Sequence, residues 1–234
     1  TASTFHDEAH FAASVFNRPA VFSKSLFGGA ARFAGIATKQ TAIFCNVRFA
    51  GAADFSGATF TQYADFSGAR FDGDAMFSRS SFFAVIRTSY DMDFPQYANF
   101  ANAAFAQGAD FSEATFTAFV GFGRATFAGA VSFNGANFAG AYFAGAYFAD
   151  AKFSQKADFR QTRFAYAEPS FWDSEGQQKS ARFSAQANPQ DYLFEVRPES
   201  PHGFSCGEAQ LLNRTFVLPV GAVLYDPDSW DEEK

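Results

Sequence analysis

"ADFSGATFTQY" (53–63) and "ADFSGARFDGD" (64–74) are near-copies of eleven residues, in which Phe returns after five residues, then six, then five: Phe55, Phe60, Phe66, Phe71. The same rhythm runs outward both ways. Phe stands at 5, 11, 16, 22, 27 and 33, Thr38 fills the next slot, and Phe resumes at 44 and continues to 82. Thr88 takes another slot, and Phe then recurs from 94 through 100, 105 and 111 to 164. Of the 30 Phe before residue 165, 28 keep this register and only Phe83 and Phe119 do not. A period this regular is the signature of a repeat architecture.

Elementary geometry decides between helix and strand. At about 100° per residue, a step of five turns the next Phe by roughly 140°, so the rings would not share one helical stripe. Gly recurs two residues after Phe (Gly29, Gly35, Gly51, Gly57, Gly68, Gly73, Gly129, Gly135, Gly140, Gly145), at about 1 kcal/mol each in a helix interior. A short extended segment fits instead. The residue two before Phe is small or β-branched, as in Ala53, Ala58, Ala64 and Val120, and the one before it is mostly polar, as in Asp54 and Asp65. Residues i−2 and i then face inward and i−1 outward. The next two residues turn a corner, where Gly is expected to supply a positive φ.

"ADFSG" (53–57, 64–68), "ANFAN" (98–102), "ADFSE" (109–113), "ANFAG" (136–140) and "ADFRQ" (157–161) resemble the unit of the pentapeptide-repeat family, approximately A-(D/N)-(L/F)-x-x. The resemblance covers residues 1–164 and implies an all-β, right-handed quadrilateral β-helix. Alternating five and six gives 22 residues per coil, two corners being one residue larger. About seven to eight coils are expected, with Phe27, Phe49, Phe71, Phe94, Phe116 and Phe138 stacked about 4.8 Å apart in one column. Outward residues on that column read Leu26, Arg48, Arg70, Asp93, Thr115, Asn137, Asp158. On the column of Phe55 they read His10, Arg32, Asp54, Met76, Asn99, Gly121, Tyr142. Neither is a continuous acidic stripe.

Two places break the rhythm. Phe82, Thr88, Phe94 and Phe100 are three sixes in succession, one residue more than the alternation allows. An insertion in a solenoid maps to a bulge or loop on one face, where Arg87, Tyr90, Asp91 and Asp93 would be displayed. Between Phe138 and Phe153 the step becomes a strict five, so the coil should narrow or re-twist, with Tyr142 and Tyr147 outward on adjacent sides. Exposed Tyr is enriched at interfaces, and these six residues are the candidate interaction surface. Beyond 164 only five Phe remain, while six of the eight Pro fall there. Residues 165–234 are read as a cap or extension, since an open solenoid end exposes core and unpaired strands. "GEAQLLNRTF" (207–216) is expected as a short helix across the end, and "VLPVGAVLY" (217–225) as a strand or a dimerising arm.

Chemistry is sparse. "HDEAH" (6–10) sets two His around a corner with Glu8 between them, and the only other His is His202. A metal site needs at least a third ligand, so none is expected. Cys45 has no His or acid partner at motif spacing, and no P-loop, dinucleotide fingerprint or nucleophile elbow occurs, so no cofactor or catalytic residue is assigned. The net charge of −6 argues against direct nucleic-acid binding, which calls for basic excess. No apolar run of membrane-spanning length occurs, and two cysteines favour a reducing, cytoplasmic setting. The reading is an interaction module. The resemblance implies a bacterial DNA mimic that engages a type II topoisomerase, DNA gyrase, and modulates it or protects it from antibiotics. It also allows a homodimer through the C-terminal segment. The rivals are an enzyme or small-molecule-binding protein using 82–94 and the C-terminal extension, with Trp172 lining a pocket, or a structural spacer.

Overall fold

The structure is a computed structural model that describes residues 2–83, 98–139, 146–173 and 179–229. Two-residue strands succeed one another around a square. Thr4–Phe5, Ala9–His10, Val15–Phe16 and Ala20–Val21 open its first, second, third and fourth sides. Each pairs in parallel with the strand one coil on: Phe5 with Phe27, Ala9 with Ala31, Val15 with Ala37, Ala20 with Ala42. Among the described residues the four sheets contain nine, eight, seven and six strands. About six turns are therefore closed by strands on all four sides, fewer than the seven to eight expected from the Phe count. Main-chain bonds run coil to coil, as from Ala53 N to Asp74 O (2.9 Å) and from Phe55 N to Met76 O (2.7 Å).

Inside, the rings stack face to face along each side. Phe33, Phe55, Phe77, Phe111 and Phe133 follow one another at 4.8, 4.9, 5.0 and 5.1 Å, within 8° of parallel. Rings of the second and fourth sides meet edge to face, as Phe55 and Phe66 do at 5.2 Å and 86°. Both arrangements suit the aromatic quadrupole. Ala at i−2 is buried beside each ring while the residue between them faces out, which is the strand alternation the pattern required.

The corners differ in kind. Five-residue steps close with a type II turn. Ala58 N donates to Phe55 O (3.0 Å), and Gly57 supplies φ +64° at the third position. Gly35, Gly68 and Gly135 do likewise, but Ala13, Lys24 and Arg79 hold the same conformation. At the six-residue corners Gly is needed for another reason. A Cβ on Gly51 would lie 2.8 Å from the backbone of Gly29, one on Gly73 2.7 Å from that of Gly51, and one on Gly129 2.3 Å from Gln107 O. The expectation of positive φ thus holds at one class of corner, and close stacking of backbones explains the other.

Three expectations are corrected. Phe71 stacks on Phe105 (4.8 Å) and Phe82 on Phe116 (4.9 Å). Phe94, which lies outside the described residues, is therefore not the rung between Phe71 and Phe116. Paired residues here are 34 apart instead of 22, so this turn carries 12 extra residues where the spacing suggested one. After one ordinary 22-residue turn, Phe127 pairs with Phe153 and Val120 with Ala146, 26 residues apart. The strict-five stretch therefore lengthens the coil instead of narrowing it, because Phe138 and Phe148 occupy neighbouring sides. Finally, 207–216 is not helical. Cys206–Leu211 and Arg214–Pro219 form an antiparallel hairpin around Leu212 and Asn213, both at positive φ (52° and 57°), the geometry of a type I′ turn.

The four-sided packing runs on beyond 164. Phe171 stacks on Phe148, Phe183 on Phe153 and Phe194 on Phe159, and Val223–Tyr225 adds the last strand of the first side. The hairpin buries Phe216 and Leu218 against this end, with the Phe216 ring 5.9 Å from Tyr192. At the opposite end Phe5, Phe11, Phe16 and Phe22 are only partly covered. No helix among the described residues is long and apolar enough to cross a membrane.

Candidate functional site

With apolar rings inward, chemistry is confined to the outward position of each strand and to the corners. The register corrected for the longer turn changes the outward columns. On the first side they read Leu26, Arg48, Arg70, Ala104, Thr126, Lys152, Arg182. On the second they read His10, Arg32, Asp54, Met76, Asp110, Ser132, Asp158. Charges that looked mixed along the sequence are sorted, cations to the first side and carboxylates to the farther part of the second.

These carboxylates are held in two ways. Asp54 and Asp110 accept the N–H of Ser56 and Ser112 at 2.9 Å, and Asp74, at the corner before the second side, accepts that of Gly108 at 3.0 Å. None of the three has a cationic partner among the described residues. Asp74, Asp110 and Asp158 border a shallow groove of about 350 Å³. Asp158 is nearly buried and is gripped by Arg160 at 2.9 and 2.6 Å, with Lys156 at 3.7 Å. Burial opposes its ionisation, but Arg160 and Lys156 prevail and hold the carboxyl below its ordinary value. Asp72 clamps Arg48 (2.7 Å) and Arg70 (2.5 Å) across one rung of the first side. In the "HDEAH" segment Glu8 is engaged by Arg32 and by His10.

Of the candidate surface, Arg87, Tyr90, Asp91, Asp93 and Tyr142 lie outside the described residues. Tyr147 is described and stands half-buried on the fourth side. Its ring passes over Gly123, where a Cβ would come within 3.0 Å of Cε1, and sits 6.3 Å from Phe119. Burial, with the charge of Asp173 next in weight, pushes the phenol upward. Tyr147 borders an open groove of about 380 Å³. Its floor is Ala101, Gly123 and Ala149, successive rungs of one corner. Asn102, Arg124 and Asp150 follow them at φ 58°, 59° and 59°. Asp150 gathers three cations: Arg182 Nη2 at 3.0 Å on Oδ1, and Lys179 Nζ at 3.3 Å and Arg124 Nε at 3.6 Å on Oδ2. Trp172 is exposed, and its carbonyl accepts the Ser170 hydroxyl at 2.7 Å. The sequence reading missed this cluster, although Arg124 and Asp150 share the third position of one type of corner and were visible on that ground.

A parallel, four-sided β-solenoid filled by stacked Phe defines the class of protein. Family models described as "Pentapeptide repeats (9 copies)" and "Pentapeptide repeats (8 copies)" match residues 39–81 and, in two overlapping segments, 122–155 and 129–164. Over these segments the chain carries pentapeptide repeats, and pentapeptide-repeat proteins generally act as protein-interaction modules. No curated protein matches it.

Proposed function

We propose that the rod docks onto a basic groove of a protein partner through its second side, and that the partner is a type II topoisomerase, DNA gyrase, which it engages as a DNA mimic. The observation that supports this reading is the set Asp54, Asp74 and Asp110, carboxylates without a cationic partner among the described residues, on the second side and the corner before it. Such charges favour approach to a surface built for phosphates. The dry core makes the display rigid, so docking costs little ordering entropy. In a gyrase supercoiling assay, with and without a fluoroquinolone, the protein should alter supercoiling or drug-induced cleavage. The triple variant Asp54→Asn/Asp74→Asn/Asp110→Asn should lose most of that effect. Absence of any effect at micromolar protein would refute the reading.

The C-terminal hairpin favours a second, compatible role. Val217 and Val220 are 53% and 68% exposed, and a second copy of the chain would cover them. Light scattering of the full chain should show a dimer that Val217→Lys/Val220→Lys disrupts. A monomer at all concentrations would remove this role.

A further inference from the structure

The groove beside Tyr147 draws several cations onto the carboxylate of Asp150. Arg124, Lys179 and Arg182 all approach Asp150, and Arg124 and Lys179 line the groove with Asp150 and Asp173, in a chain of net charge −6. Arg182 is bound to Oδ1 of Asp150, and its Nε lies buried without an acceptor among the described residues. Arg124 and Lys179 crowd the other oxygen. At 3.6 Å the Arg124 contact is an ion pair without a hydrogen bond. Among the described residues the Arg124 guanidinium donates no hydrogen bond, although its side chain lines the groove and is 58% exposed. A guanidinium carries five N–H donors and an ammonium three, and one carboxylate oxygen cannot satisfy both.

We propose that this groove is an oxyanion site for the phosphate of a small phosphomonoester, with Arg124 and Lys179 as its ligands. A planar guanidinium beside a mobile ammonium suits the several oxygens of a phosphate better than a single carboxylate does. The floor at Ala101 and Ala149 carries only methyl side chains and leaves room for an anion, and the Tyr147 ring, which covers Gly123, forms a wall for the esterified group. Asp150 acts as the internal competitor that holds the cations together while the groove is empty. The site lies at the corner between the fourth and first sides, apart from the carboxylates of the second side, so its existence is independent of the docking reading.

The test is titration calorimetry of the full chain with inorganic phosphate and with phenyl phosphate, against chloride at matched ionic strength. Saturable binding is expected for both, tighter for phenyl phosphate if the ester group contacts Tyr147. Arg124→Gln should weaken it about tenfold or more, the usual worth of a charge-assisted hydrogen bond. Lys179→Gln should weaken it in the same direction. Asp150→Asn should tighten it severalfold by removing the competing charge. A cluster that served only to clasp the coils would give the opposite, since Asp150→Asn would then only loosen the fold. No saturable binding of either anion, or affinities that the three variants leave unchanged, would overturn the proposal.

Discussion

Thr38 is the one interruption of the third-side stack whose consequences can be worked through atom by atom. It stands between Phe16 and Phe60, is 0% exposed, and its hydroxyl has no partner among the described residues. Leaving such a group unpaired costs about 1–3 kcal/mol. Thr38→Val keeps the shape, removes the orphan and should stabilise the protein by that amount. At about 2–4 °C per kcal/mol for a chain of this size, the midpoint in a circular-dichroism melt should rise by several degrees. Restoring Phe is a different perturbation. Two residues earlier, where Ala58, Ala114 and Ala136 stand on later rungs, this rung carries the buried Ile36, whose bulk occupies space a ring would need. Thr38→Phe alone should therefore overpack, at about 1–3 kcal/mol, and Ile36→Ala alone should leave a void at about 2–5 kcal/mol. Together they rebuild the Ala-and-Phe rung, so their coupling should exceed about 1 kcal/mol in the stabilising direction. Additive effects in that cycle, or a lower midpoint for Thr38→Val, would refute this account of the core.

The two classes of corner predict different tolerance of alanine. Gly51→Ala drives a methyl into the backbone of Gly29 and should lower the melting midpoint more than Gly57→Ala, which meets open space and bears only the left-handed strain of about 1–2 kcal/mol. Equal losses would mean that positive φ, not stacking, governs both corners. Acid should also act through named carboxylates. Asp158 and Asp72 are held below their ordinary value of 3.8. Their contribution to stability is therefore fully present above that value and is lost as pH falls through the lower folded-state value. Melting curves from pH 6 down to pH 2 should fall steeply only below about pH 4, and Asp158→Asn should flatten part of the drop. A fall centred near neutral pH would point to other groups.

The rhythm of Phe was legible because each ring states its own position: an inward ring every five or six residues leaves no other fold that hides them all. Which side a ring belongs to was not legible, because that depends on pairing with a distant rung. Thr88 and Phe94 sit at six-residue spacing and Phe143 at five, so counting along the chain passes through both longer turns without a signal. Only the pairing of Ala64 with Ala98 and of Val120 with Ala146 reveals them. Each miscounted side then rotates every later outward residue by a quarter turn, which is why the charges looked mixed before the register was known. The C-terminal hairpin escaped for a local reason, since Leu212 and Asn213 lack the Gly that usually marks such a turn, and Glu, Ala, Gln and Leu favour a helix in isolation. The same logic hid the groove at Tyr147. Arg124, Asp150 and Lys179 come from successive turns of unequal length, and their meeting is a property of the register, not of any motif. In a solenoid of this kind the repeat specifies the scaffold, whereas irregular turns decide which side chains become neighbours. Function is accordingly to be sought where the coil length changes, and the cations that converge on Asp150 flank the 26-residue step, Arg124 before it and Lys179 and Arg182 after it.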